Sequence, residues 1–114
     1  MITGAHTTVF TPQAEEVRAF FRDVLGFDSV DAGGGWLIFR LPPGELGVHP
    51  SDGGTGHELY LTCDDIDRTV DELRGRGATF DGGVTEAGFG RLVTVLLPGG
   101  GRLGIYQPRH PTTF

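Results

Sequence analysis

The sequence concentrates β-branched and other apolar residues in short segments that glycine- and proline-rich stretches separate. Several of these segments alternate apolar with polar positions, which is the period expected of a strand with one buried face. The eight candidate strands are AHTTVF (5–10), FDSVD (27–31), WLIFRL (36–41), ELGVHP (45–50), HELYLTC (57–63), ATFDGGV (78–84), RLVTVLL (91–97) and RLGIYQP (102–108).

Two segments carry a helical period instead. Thr11 and Pro12 form a helix start, and the apolar positions from Val17 to Leu25 recur on one face until Gly26 supplies a left-handed cap. The second helix is capped by Asp64 or Asp65 and ends near Gly75 or Gly77. It presents one apolar face, formed by Ile66, Val70 and Leu73.

The chain repeats itself. GELGVHP (44–50) returns as GRLGIYQP (101–108), and each half reads βαβββ. The spacing is 51 residues at the start, from His6 to His57, and 57 at the end, from Gly47 to Gly104. The pattern predicts an α+β domain over residues 1–114, with module 1 at about 1–52 and module 2 at about 53–114. Its two βαβββ modules form a curved mixed sheet, with helices on the outside and a cavity within.

Alternation assigns the faces of the last strands. Leu46, Val48, Leu103 and Ile105 should face the helices, because residues i and i+2 share a side of a strand. The opposite positions should face the cavity, where they would join His6 and His57, with Glu58 turned away. These positions are Gly47, His49, Gly104 and Tyr106.

The segments AHTTVF, FFRDVLGF, GHELYLTCDDID and LPGGGRLGIYQP give the whole chain a resemblance to the vicinal oxygen chelate superfamily. That group includes glyoxalase I, bleomycin-resistance proteins and extradiol dioxygenases. The resemblance implies four metal-ligand positions, one on the first and one on the last strand of each module. His6 and His57 match the first-strand positions, whereas Gly47 and Gly104 stand where the family usually has glutamate.

Two functions follow from this set. In the first, His6, His49 and His57 hold one divalent Zn, Fe, Ni or Co ion with open positions. Glu45 or Tyr106 then serves as the acid or base of a lyase, isomerase or dioxygenase.

In the second function there is no metal, and the cavity binds a flat or hydrophobic small molecule. The substrate-binding candidates are Phe10, Trp36, Phe39, His49, Phe89 and Tyr106. Because both usual glutamates are missing, the sequence favours this binding or resistance-type protein over the enzyme.

Composition removes several other classes. The net charge is −6 and the nine basic residues are all arginine, so a nucleic-acid partner is not expected and lysine-based chemistry is absent. Cys63 is the one cysteine, so no disulfide forms within the chain. The sequence has no apolar run long enough to span a membrane and no signal-peptide pattern, which predicts a cytoplasmic protein. The resemblance also implies a homodimer.

Overall fold

The structure is a computed structural model that describes residues 6–45, 47–48, 50, 52–53 and 57–113. Helix α1 runs Ala14–Ala19 and continues as a π-helical turn, Phe20–Val24, in which the Leu25 N–H donates to the Phe20 carbonyl at 3.1 Å. Helix α2 runs Ile66–Gly75. Within the described residues, no helix is long and apolar enough to cross a membrane.

Seven strands form two sheets within the described residues. They are β1 (Ser29–Asp31), β2 (Leu37–Phe39), β3 (Tyr60–Thr62), β4 (Thr79–Phe80), β5 (Thr85–Ala87), β6 (Gly90–Leu96) and β7 (Arg102–Pro108). Strands β1 and β2 form an antiparallel pair. The larger sheet has the order β3-β7-β6-β4, and β5 also pairs with β6. The β3–β7 pair is parallel and the other pairs are antiparallel. The predicted α+β class is confirmed.

The core lies between the helices and one face of the larger sheet. Ile66 and Val95 are fully buried. The buried residues form one cluster to which both helices contribute: Val17, Phe20, Phe21, Ile66, Val70, Leu73, Ala78, Val93, Val95, Leu97, Leu103 and Ile105. The predicted apolar faces of both helices are therefore the faces that pack. Leu103 and Ile105 lie on the core side, as alternation predicts.

The first half forms fewer strands than predicted. Residues 6–10 lie in no strand, and Phe10 and Val48 are 91% and 93% exposed. The described part of the 45–50 segment is likewise outside any strand, while Leu46 and His49 lie outside the described residues. A strand exists only through ladder hydrogen bonds to a neighbouring strand, and among the described residues neither segment takes part in a strand pair.

The sequence offset between matching positions of the two halves changes from the start of the helices to their end. Gln13 and Asp65 provide the carbonyls that accept the first helical hydrogen bond, and they lie 52 positions apart. Gly26 and Gly77, the glycines with positive φ that follow the helices, lie 51 apart. A π turn accommodates one residue more than an α turn, and within the described residues this turn belongs to the first helix alone.

The predicted equivalence of His6 and His57 stays a prediction. Both residues precede the helices and lie in no strand of the described structure, so the offset between the helices does not fix which residues of the two segments correspond.

Candidate functional site

The open face of the larger sheet is the side that the helices do not cover. Tyr60 pairs with Gly104 and Thr62 with Tyr106 across the parallel β3–β7 ladder. Since Leu61 packs against the core, its neighbours on β3 point to the other side. Alternation thus brings Tyr60, Gly104 and Tyr106 together on the open face.

Three rings form an aromatic cluster on this face: Tyr60, Phe89 and Tyr106. Their centroids are 6.1 Å apart for Tyr60–Phe89, 5.7 Å for Tyr60–Tyr106 and 5.0 Å for Phe89–Tyr106. All three pairs meet edge to face, which is a favourable geometry for aromatic rings. Tyr60 and Phe89 remain 38% and 40% exposed. The cluster is therefore an ordered apolar surface that a ligand can reach.

Gly104 makes room for the cluster. A Cβ atom built on Gly104 would overlap the Tyr60 ring, so any side chain at this position would displace the ring. The absence of a side chain at Gly104 on β7 is therefore what allows the Tyr60 ring on β3 to lie where it does. The Tyr60 ring therefore lies directly over Gly104.

Both tyrosine hydroxyl groups have protein partners. The pKa of Tyr60 is raised, chiefly by hydrogen bonding with the Glu58 carboxylate. The Tyr106 oxygen lies 3.0 Å from Nε2 of His110. Burial and the negative charge of Glu45 raise the pKa of Tyr106. Both phenols are therefore neutral at neutral pH.

Glu58 was predicted to point away from the open face, and that expectation is wrong. Leu59 packs against the core, whereas its neighbour Glu58 lies close enough to Tyr60 to raise the pKa of that phenol. His6 and His57 are both exposed.

A cavity of about 450 Å³ opens at the carboxyl ends of β3 and β7. It is lined by Thr62, Cys63, Asp64, Gln107, Pro108, His110 and Thr112. The Gln107 side chain is already engaged there, because its Oε1 accepts from the Ile66 N–H at 2.9 Å. Burial raises the pKa of the Cys63 thiol, so Cys63 is not a thiolate nucleophile at neutral pH.

The chain beyond β7 returns to the first half of the protein. Oε2 of Glu45 accepts hydrogen bonds from the Thr113 backbone N–H at 3.1 Å and from its hydroxyl at 3.3 Å. The carboxylate of Glu45 is therefore engaged by the chain beyond β7, and the predicted acid or base role of Glu45 or Tyr106 stays a prediction.

The predicted aromatic residues divide into two groups. Phe89 and Tyr106 meet in the cluster, whereas Phe39 packs on Phe21 with centroids 5.7 Å apart. Trp36 is 63% exposed, with the Arg18 guanidinium 5.1 Å from its ring. Phe10 is almost fully exposed. Its predicted cavity role depended on a strand at 5–10, and the described residues 6–10 form none.

The predicted metal ligands His6, His49 and His57 stay a prediction. His49 lies outside the described residues, so the triad as a whole is not described. Among the residues that the structure describes, no group of three or more His, Cys, Asp or Glu side chains is arranged to hold a metal ion.

Sequence reasoning missed Tyr60 and His110. The signal for Tyr60 was present, because Leu59, Leu61 and Cys63 alternate with polar or aromatic residues in HELYLTC. No such period covers His110. Its place depends on how the chain turns after Pro108, which the residue pattern does not specify.

Comparison with known proteins identifies the family. The profile of the Glyoxalase/Bleomycin resistance protein/Dioxygenase superfamily matches residues 4–105. The chain belongs to this superfamily. None of the curated proteins compared matches the sequence.

Solved structures of the superfamily fold resemble the chain over nearly its whole length. TnmS3, an antibiotic binding protein from Streptomyces sp. CB03234, is 24% identical with a TM-score of 0.63, and the match covers 95% of this chain and 99% of that one. Lactoylglutathione lyase from Agrobacterium tumefaciens is 15% identical with a TM-score of 0.65 and 92% coverage of each chain. A glyoxalase/bleomycin resistance protein from Streptomyces sp. CB03234 is 25% identical with a TM-score of 0.57, covering 85% of this chain and 93% of that one.

Proposed function

We propose that this superfamily member binds a planar, largely apolar small molecule on the open face of the larger sheet, without a divalent metal at the usual site. The aromatic cluster carries the proposal, because two of its three rings are part exposed and all are fixed by mutual contacts. TnmS3, which has the same fold, is an antibiotic binding protein, so this fold is compatible with holding a small molecule.

The local chemistry supports binding without a metal. Gly104 offers no donor, and the ring of Tyr60 lies where a side chain at that position would begin. This half of the usual site therefore does not fit a carboxylate ligand from β7. The nearest polar groups are hydroxyl groups that are already hydrogen-bonded within the protein.

A titration with a simple planar compound tests the proposal. Phe89→Ala should weaken binding of 2-naphthol about tenfold, because it removes a stacking surface worth on the order of 1 kcal/mol. Val30→Ala is the control: it shortens an apolar side chain on β1 that is 66% exposed and not part of the cluster, and it should leave the affinity unchanged. Isothermal titration calorimetry gives both values. Equal losses in the two variants would place the ligand elsewhere.

Elemental analysis separates this function from the metal enzyme. Protein purified without chelator should carry well under one first-row metal ion per chain. About one ion per chain, lost in His6→Ala or His57→Ala, would instead favour the lyase, isomerase or dioxygenase that uses His6, His49 and His57. The homodimer and the cytoplasmic location implied for the protein stay predictions.

A further inference from the structure

The imidazole of His110 is engaged at both of its nitrogens. Nδ1 lies 2.8 Å from the carbonyl oxygen of Pro111, and Nε2 lies 3.0 Å from the hydroxyl oxygen of Tyr106. A carbonyl oxygen can only accept a hydrogen bond, so the proton of the neutral ring is on Nδ1. Nε2 is then an acceptor.

The direction of the next hydrogen bond follows. Because Nε2 of the neutral ring has no proton, Tyr106 must donate its one hydroxyl proton to His110. The Tyr106 oxygen then presents only lone pairs to anything else that approaches it. Toward a ligand, the Tyr106 hydroxyl therefore acts only as a hydrogen-bond acceptor, although it keeps its proton.

Carboxylates lie near both phenols. The Glu58 carboxylate, which can only accept, raises the pKa of Tyr60 through hydrogen bonding and through its charge. The carboxylate of Glu45, held by Thr113, adds negative charge near Tyr106. The polar edge of the aromatic cluster is thus dominated by acceptors, because the Tyr106 proton is used internally and the nearby carboxylates offer no donor.

We propose that the open face selects planar ligands that carry a hydrogen-bond donor on their edge, such as a phenolic hydroxyl or a ring N–H, over analogues that can only accept. This inference rests on the proposed function, since it assumes that the ligand lies on the aromatic cluster. A ligand carbonyl or ether oxygen facing Tyr106 would meet lone pairs and lose its hydrogen bond to water without replacement. A buried polar group left unpaired in this way loses affinity.

A matched pair of probes tests the selectivity. 2-Naphthol carries a hydroxyl donor, whereas 2-methoxynaphthalene has the same ring system and can only accept. Calorimetric titration of the wild-type protein should give an affinity about 3- to 10-fold higher for 2-naphthol, the range expected for one net hydrogen bond.

Two variants test which side chains cause the preference for 2-naphthol. Tyr60→Phe combined with Tyr106→Phe keeps both rings and should reduce the preference to within about twofold. His110→Leu releases the Tyr106 proton, so binding of 2-methoxynaphthalene should improve relative to 2-naphthol. Val30→Ala, a change on β1 outside the cluster, should leave the ratio unchanged.

The possible results are distinct. Equal wild-type affinities for the two probes would overturn the selectivity while leaving the proposed binding function intact. A preference that survives the double tyrosine variant would also overturn it. Failure of both probes to bind would refute the proposed function as well. Circular dichroism of each variant checks folding, and the wild-type ratio decides the matter even if a variant does not fold.

Discussion

Because Gly104 has no side chain, the Tyr60 ring of the neighbouring strand β3 can lie across β7. Ala at this position should destabilise the fold by about 1–3 kcal/mol, because the new methyl group overlaps the Tyr60 ring and forces it to move. Urea unfolding of Gly104→Ala measures the loss. Gly83→Ala is the control, since Gly83 has open space around its Cβ position and no positive φ; it should change stability by less than about 0.5 kcal/mol.

The Gly104 interpretation has a second check. In the Tyr60→Ala background the ring is gone, so adding Gly104→Ala should cost much less than it does in the wild type. Additive costs would mean that the two positions do not interact, and the steric account would then be wrong.

At the residue scale, the sequence contained part of the site. The alternation in β7 placed Leu103 and Ile105 in the core and Tyr106 on the open face, as the structure has them. The same alternation in β3 would have placed Glu58 and Tyr60 beside Tyr106. The repeat spacing masked this, because placing His57 on the cavity side would, by the same alternation, turn Tyr60 toward the helices.

The helices show how a local cap defines an element. Asp65 accepts from the Arg68 N–H at 3.1 Å and caps α2, whereas Asp64 has no such bond to the helix. Asp65→Ala should therefore cost about 1 kcal/mol of stability, measured by urea unfolding. Asp64→Ala, the adjacent control, should fall within about 0.5 kcal/mol of wild type. Similar losses for both would contradict the assignment of the cap.

At the element scale, prediction succeeded where each element finds its partners nearby in the sequence. Strands β6 and β7 and helix α2 match the predicted segments, because their apolar faces meet in a common core. The strands predicted at 5–10 and 45–50 carry suitable residues, yet strand formation also needs a hydrogen-bonding neighbour. The π turn was also missed, since one extra residue in a helical turn leaves the spacing of the apolar positions almost unchanged.

The whole molecule has an unusually simple alkaline titration. The chain contains no lysine and two tyrosines, both in the aromatic cluster and both with raised pKa values. A raised folded-state pKa means that the stabilisation is complete below the unfolded value, about 10, and is lost as the pH rises through the folded value. The free energy of unfolding should therefore fall as the pH rises above about 10.

Urea unfolding across this range, with tyrosinate absorbance followed in parallel, checks the expectation. The Cys63 thiol also has a raised pKa, so the measurement is made in a Cys63→Ser background. Tyr60→Phe combined with Tyr106→Phe should flatten the decline. A midpoint at or below the ordinary tyrosine value would show that burial and the carboxylates of Glu58 and Glu45 do not raise the pKa values of the two phenols.

The tryptophan and the tyrosines lie in different halves of the chain, so each half has its own optical signal. Trp36, the one tryptophan, lies beside Arg18 in the first half, while both phenols belong to the second half. Indole emission excited at long wavelength therefore reports on one half, and phenol absorbance reports on the other. Unfolding of the unlabelled protein, followed by both signals, would show directly whether the two halves of the chain unfold together or one after the other.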